Sequence, residues 1–131
     1  MSIKETLYTH LTGHAGLSAL ISTRLYPRHL PQNPVYPAVT YERISTPRIK
    51  VMGGVSGIAY PRFTFTAWSD DVDECDAVAE QLRAALDAYW GTVDGTEIKY
   101  SSTEDESDAE YDEDVGAYAS EVDFIIWHEE T

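Results

Sequence analysis

The stretch Ser102–Gly116, STEDESDAEYDEDVG, decides how this chain is put together. Eight of the eleven residues from Glu104 to Asp114 are acidic, yet an apolar, strand-like segment, VGAYASEVDFIIWHE (Val115–Glu129), follows them. A metal loop, an unfolded insert and a charged surface of a folded domain are the competing readings. Calcium-loop grammar is missing, with no glycine at the turn position and no bidentate Glu at the twelfth. A short strand pattern, TEIKY (Thr96–Tyr100), stands just before the run. The simplest topology is therefore a hairpin of the last two strands with the acidic run as its tip loop.

Upstream lies the clearest helix, DDVDECDAVAEQLRAALDAYWG. Val72, Cys75, Val78, Ala79, Leu82, Leu86 and Tyr89 form one apolar stripe, Asp71 supplies an N-cap, and Gly91 is the expected stop. Before it, IAYPRFTFTAWS (Ile58–Ser69) reads as a strand with Phe63, Phe65 and Ala67 on one face; Pro61 confines its beginning to an edge or a strand start. AVTYERI (Ala38–Ile44) is another strand. Between these two strands, STPRIKVMGGVS reads as a long, flexible hairpin connection. Prolines at 27, 31, 34 and 37 favour an extended connection ahead of Ala38. The N-terminal residues have helical spacing at Ile3, Leu7 and Leu11, and a second short helix or turn follows over Ala15–Ser22.

The expected fold is thus a single α+β domain over 1–131. It has a mainly antiparallel sheet of about four to five strands covered by one long helix (about 71–90), plus a short N-terminal helix.

Charge is segregated along the chain. Residues 1–62 carry seven Lys/Arg against two acids, and residues 63–131 carry two against twenty-one, for a total of −14. Such a balance argues against nucleic acid as a ligand, which needs Lys and Arg at its phosphates. It suits pairing of a basic surface with an acidic one, within a chain or between copies. No run approaches the ~18 apolar residues of a membrane span, and the N-terminus has no apolar signal region. A lone cysteine, Cys75, excludes an internal disulfide and sits on the helix's apolar stripe, where an inert buried thiol is expected. His10 and His14 lack a zinc-site context, and GGVSG has no following helix to make a phosphate cradle. No catalytic constellation, metal site or cofactor site emerges.

RLYPRHLPQNPVYPAVTYERIS resembles the small tail-completion proteins of long-tailed bacteriophages, the tail terminators or tail-to-head joining proteins. Tyr26, Pro27, Pro37, Val39, Tyr41, Ile44 and Ser45 carry the resemblance in the first block. Trp68 and Leu82 carry it in the strand-to-helix block, and Asp123, Phe124, Trp127 and His128 in the ending VDFIIWHEE. The density of acid between Glu104 and Asp114 departs from the family pattern.

The resemblance implies a structural virion protein without catalytic activity, needing no cofactor. It implies a ring, typically of six copies, on the head-proximal end of the tail tube, which ends tube growth and meets the neck proteins. Its partners would be further copies of itself, the tail tube protein and a neck or head-completion protein, with DNA passing through unbound and no membrane involved. Within that picture Arg43, Arg48, Lys50 and Arg62 are candidates for the subunit interface. Val51, Met52, Gly53 and Gly54 form a candidate docking loop. The acids Glu104, Asp105, Glu106, Asp108, Glu110, Asp112, Glu113 and Asp114 are candidates for the lumen or rim, where carboxylates repel phosphate. A neck connector is the near alternative; a monomeric acidic inhibitor or nucleic-acid mimic is a more distant one, opposed by the basic first half.

Overall fold

The computed structural model describes residues 3–51, 54–93, 95–113 and 116–129, and the backbone alone at 50, 51, 54–56, 109, 110 and 112. Strand β8 (Ala117–Glu129) organises the fold. Val122, Phe124, Ile126 and His128 are buried on one face, while Glu121, Asp123, Ile125 and Trp127 are half-buried on the other. One edge of β8 pairs with β7 (Thr96–Asp112). The other edge pairs with β5 (Arg62–Ser69) and, further along, with β4 (Gly54–Ala59). β2 (Ala38–Ser45) lies outside β5, and β1 (Leu25–Pro27) runs parallel to β2. β3 (Arg48–Val51) pairs with β4, and β6 (Tyr89–Val93) pairs with the beginning of β7.

β4 and β5 keep one register against β8. Ala59 opposes His128 and Arg62 opposes Ile125, and between them the Ile126 amide donates to the Pro61 carbonyl at 3.0 Å. Proline has no N–H to give, so the ladder is interrupted there without slipping. The partner line behaves alike: Ser45 opposes Arg62, Arg48 opposes Ala59, and the Tyr60 amide donates to the Pro47 carbonyl at 2.9 Å. Residues 38–51 and 54–69 are therefore one long hairpin punctuated by two prolines. The flexible connection expected over Ser45–Ser56 is in large part β3 and β4; Met52 and Gly53 lie outside the described residues. Gly57, with φ +85, occupies the position where β4 bulges against β3, a conformation that favours glycine.

The acidic run is not a tip loop. β7 continues through it to Asp112 and opposes β8 from Ile98↔His128 to Asp112↔Ala117. Register shifts near Lys99, near Glu104 and between Ala109 and Asp112 make it a repeatedly bulged strand, and such bulges strengthen local twist. β6 pairs with β7 no further than Ser101, so the acidic part is an edge strand. Dense charge on an edge is a standard protection against further strand pairing.

Three helices pack on the buried face: α1 (Ile3–Thr12), α2 (Ala15–Ile21) and α3 (Val72–Leu86). The α3 N-cap is Asp71, whose Oδ1 accepts from the Asp73 amide at 3.0 Å. The helix ends at Leu86, because Asp87 is extended and Ala88 takes φ +54. The expected architecture is corrected on both counts: among the described residues the sheet has eight strands and is mixed, and three short helices stand where one long helix reaching to 90 and a short N-terminal helix were expected. Tyr89 still joins the core, but from β6. Phe65 is the hub of that core, with rings of Tyr41, Phe63 and Phe124 at 5.9, 6.2 and 5.7 Å.

Candidate functional site

The alternation along β5 and β8 gives the sheet a second face, which no described helix covers. Its two halves differ in chemistry. In one half, register aligns Glu42, Thr64, Asp123 and Asp105 across β2, β5, β8 and β7. Asp105 and Asp123 are direct cross-strand partners, an unfavourable pairing of like charges. Arg62 offsets it, reaching Asp123 Oδ2 at 2.8 Å, while Thr64 Oγ1 donates to Oδ1 at 2.8 Å. The hydrogen bond and charge of Asp123, with smaller help from Glu104 and Asp105, hold the Arg62 guanidinium more firmly protonated than usual.

The carboxylates of β7 are shared between the two faces. Glu106 and Asp108 oppose the buried Val122 and Ser120, which turns them toward α3. There Arg83 Nε contacts Glu106 at 3.3 Å and Arg83 Nη2 contacts Glu80 at 3.1 Å. Ser120 Oγ lies 3.2 Å from Asp76 and 3.3 Å from Asp108, joining α3, β8 and β7. Glu104 occupies the bulge and accepts from Ser102 Oγ at 2.8 Å. Glu113 is exposed, the side chains of Glu110 and Asp112 are not described, and Asp114 lies outside the described residues. Sequence reasoning thus located the acid but missed its division between two environments.

Of the candidate interface residues, Arg43 is exposed on β2 and Arg48 is exposed on β3; Lys50 follows with only its backbone described. Arg62 stands on the adjacent strand and is engaged by Asp123 of its own chain, with its side chain still 40% exposed. In the candidate docking loop, Val51 and Gly54 oppose each other at the end of the β3–β4 ladder.

The other half of the uncovered face is aromatic, and the sequence did not single it out. Tyr60 stacks on Trp127 at 4.4 Å, and Tyr100 is the register partner of Trp127. The signal was present: Trp127 falls on the opposite parity from Phe124 in β8, and Tyr60, just ahead of β5, on the opposite parity from Phe63. At the β1–β2 margin the proline-rich connection overhangs the same face. A cavity of about 490 Å³ opens there, lined among others by Arg28, His29, Leu30, Pro31, Pro34 and Trp68. Its floor is fixed by Trp68 Nε1, which donates to Thr40 Oγ1 at 2.9 Å.

Among the described residues no three His, Cys, Asp or Glu side chains are grouped to hold a metal ion, and no helix is long and apolar enough to cross a membrane. Cys75 is buried, its thiol donating to the Ala67 carbonyl at 3.1 Å; burial pushes its pKa up, away from nucleophilic use.

A model of the family described as tail completion protein gp17 matches residues 5–129. Among solved structures, a chain from the virion of a native gene transfer agent particle superimposes with a TM-score of 0.79. It is 16% identical, and the match covers 98% of this chain and 95% of that one. No curated protein matches.

Proposed function

Because the chain belongs to the tail completion protein gp17 family, we propose that it is a structural tail protein that closes the head-proximal end of a phage-like tail tube. Copies form a ring, six being the number the resemblance implies; the ring ends tube polymerisation and joins the tail to the head. It acts by contact, without catalysis. The observation that carries this reading is the family match, which extends from α1 into β8. The likeness of fold to a gene transfer agent virion chain agrees with it.

The charge pattern supports a ring. A cyclic assembly joins one patch of a subunit to a different patch of the next, and oppositely charged segments favour that orientation. Arg43, Arg48, Lys50 and Arg62 are the basic side of this contact, and Val51, Met52, Gly53 and Gly54 are the segment offered to the tube or neck. The row Glu42, Asp123 and Asp105 faces the channel and keeps DNA from sticking. A neck connector is the second reading, favoured by the same ring-forming features.

Particles assembled without the protein test the proposal by electron microscopy. Tubes of uncontrolled length lacking heads are expected. Tails of normal length joined to heads would overturn it.

A further inference from the structure

Register brings four aromatic residues near one another on the uncovered face. Tyr60 and Trp127 stack, Tyr100 opposes Trp127, and Trp90 lies alongside, since Tyr89 pairs with Ser101 and Gly91 with Ile98. Tyr89 turns into the core, against His10 at 4.1 Å, so Trp90 points the other way and is 72% exposed. Single exposed apolar side chains need no explanation, but a row over adjacent strands is a patch. At its rim Lys99 is shared between Glu97 at 2.9 Å and Glu129 at 3.2 Å, two carboxylates about one ammonium.

The diagonally opposite corner carries the complement. The connection PRHLPQNPVYP (27–37) exposes Pro31 and Val35, the latter 62% exposed, beside exposed Arg28 and His29. The two corners do not meet within one chain. The connection joins β1 to β2 at one margin and Trp90 stands on β6 at the other. Along β8, Ala119, level with Ala38 through Trp68, is eight residues from Trp127, or about 26 Å at the usual strand rise.

We infer that the proline-rich connection of one copy docks on the Tyr60–Trp127–Tyr100–Trp90 row of the next copy. Proline and valine pack on flat aromatic faces, and a proline segment loses little freedom on docking. Arg28 then approaches the acidic rim formed by Glu97 and Glu129, which adds charge complementarity. The contact is head-to-tail, as a ring requires. It rests on the reading above only in that copies associate; it adds where they touch.

Sedimentation velocity of the full chain tests this, with Trp90→Ala, Val35→Asp and a mixture of the two, each checked for folding by circular dichroism. Both positions are exposed, so native spectra are expected. Each variant alone associates about tenfold or more weakly than the wild type. The mixture forms a heterodimer and nothing larger, because each variant brings one intact surface. Wild-type assemblies that survive Trp90→Ala, or a mixture without a heterodimer, overturn this contact and leave the ring standing. A wild-type chain that stays monomeric at all concentrations and also fails to assemble on tube ends overturns both.

Discussion

Replacing Phe65 by Ala removes the residue on which three strands converge. Phe65 is fully buried and touches Tyr41 on β2, Phe63 on its own strand and Phe124 on β8, the last edge-to-face at 77°. Truncating a buried Phe costs about 3–5 kcal/mol, and three ring partners place this one near the top, at about 5 kcal/mol. A chain of this length has roughly 7–20 kcal/mol of stability in total, so the variant stays folded but loses a large share. With a urea slope of about 2 kcal/mol/M, the unfolding midpoint falls by about 2.5 M. Phe65→Leu keeps most of the volume and loses chiefly the ring geometry, at about 1–1.5 kcal/mol. A double-mutant cycle of Phe65→Leu with Phe124→Leu isolates the edge-to-face term, expected at about 0.5–1.5 kcal/mol. A loss below about 2 kcal/mol for Phe65→Ala, or equal losses for Ala and Leu, would refute the view that this ring cluster ties β2, β5 and β8 together.

Two further outcomes are expected. The Cys75 thiol, raised by burial, and the Tyr41 hydroxyl, raised by burial and then by Tyr8, are both held protonated in the fold. Their contribution is complete below the unfolded values, about 8.5 and 10, and is lost as pH rises through the folded ones; urea titrations from pH 8 to 11 should fall in stability, less steeply in Cys75→Ala. Neutralising Glu104 and Asp105 as Gln and Asn should leave the circular dichroism native while impairing tail joining or genome delivery. Unimpaired particles would sink the channel-facing role of that strand.

The elements legible in the sequence were those with an apolar period. α3 and the strands around Phe65 and Phe124 each bury one face and leave the other more open, and the pattern records it, whereas β2 buries both faces from Ala38 to Tyr41 and neither beyond. Ser102–Asp112 gives no such record. Its described side chains from Glu104 to Asp108 are all exposed, and its backbone pairing with β8, not its composition, makes it a strand. The helix end was missed for a related reason. Tyr89 fits the helical stripe and is indeed packed on the core, but it arrives there after the chain has turned at Ala88. The basic and acidic segments were legible as composition; the Arg62–Asp123–Thr64 cluster and the aromatic row were not, because both depend on which strands become neighbours.

Because Ala59 and Arg62 keep the same count against β8, the chain is not free to gain or lose a residue at Tyr60 or Pro61. A one-residue deletion there would exchange the two faces of everything on one side of it, turning Phe63 and Phe65 outward or the β3–β4 hairpin over. A stretch that looks like a linker, with its proline and its break in the ladder, is thus a fixed spacer. Length variation among related chains should collect instead in the connection at 28–37, where an added residue lengthens a loop and leaves every strand in phase.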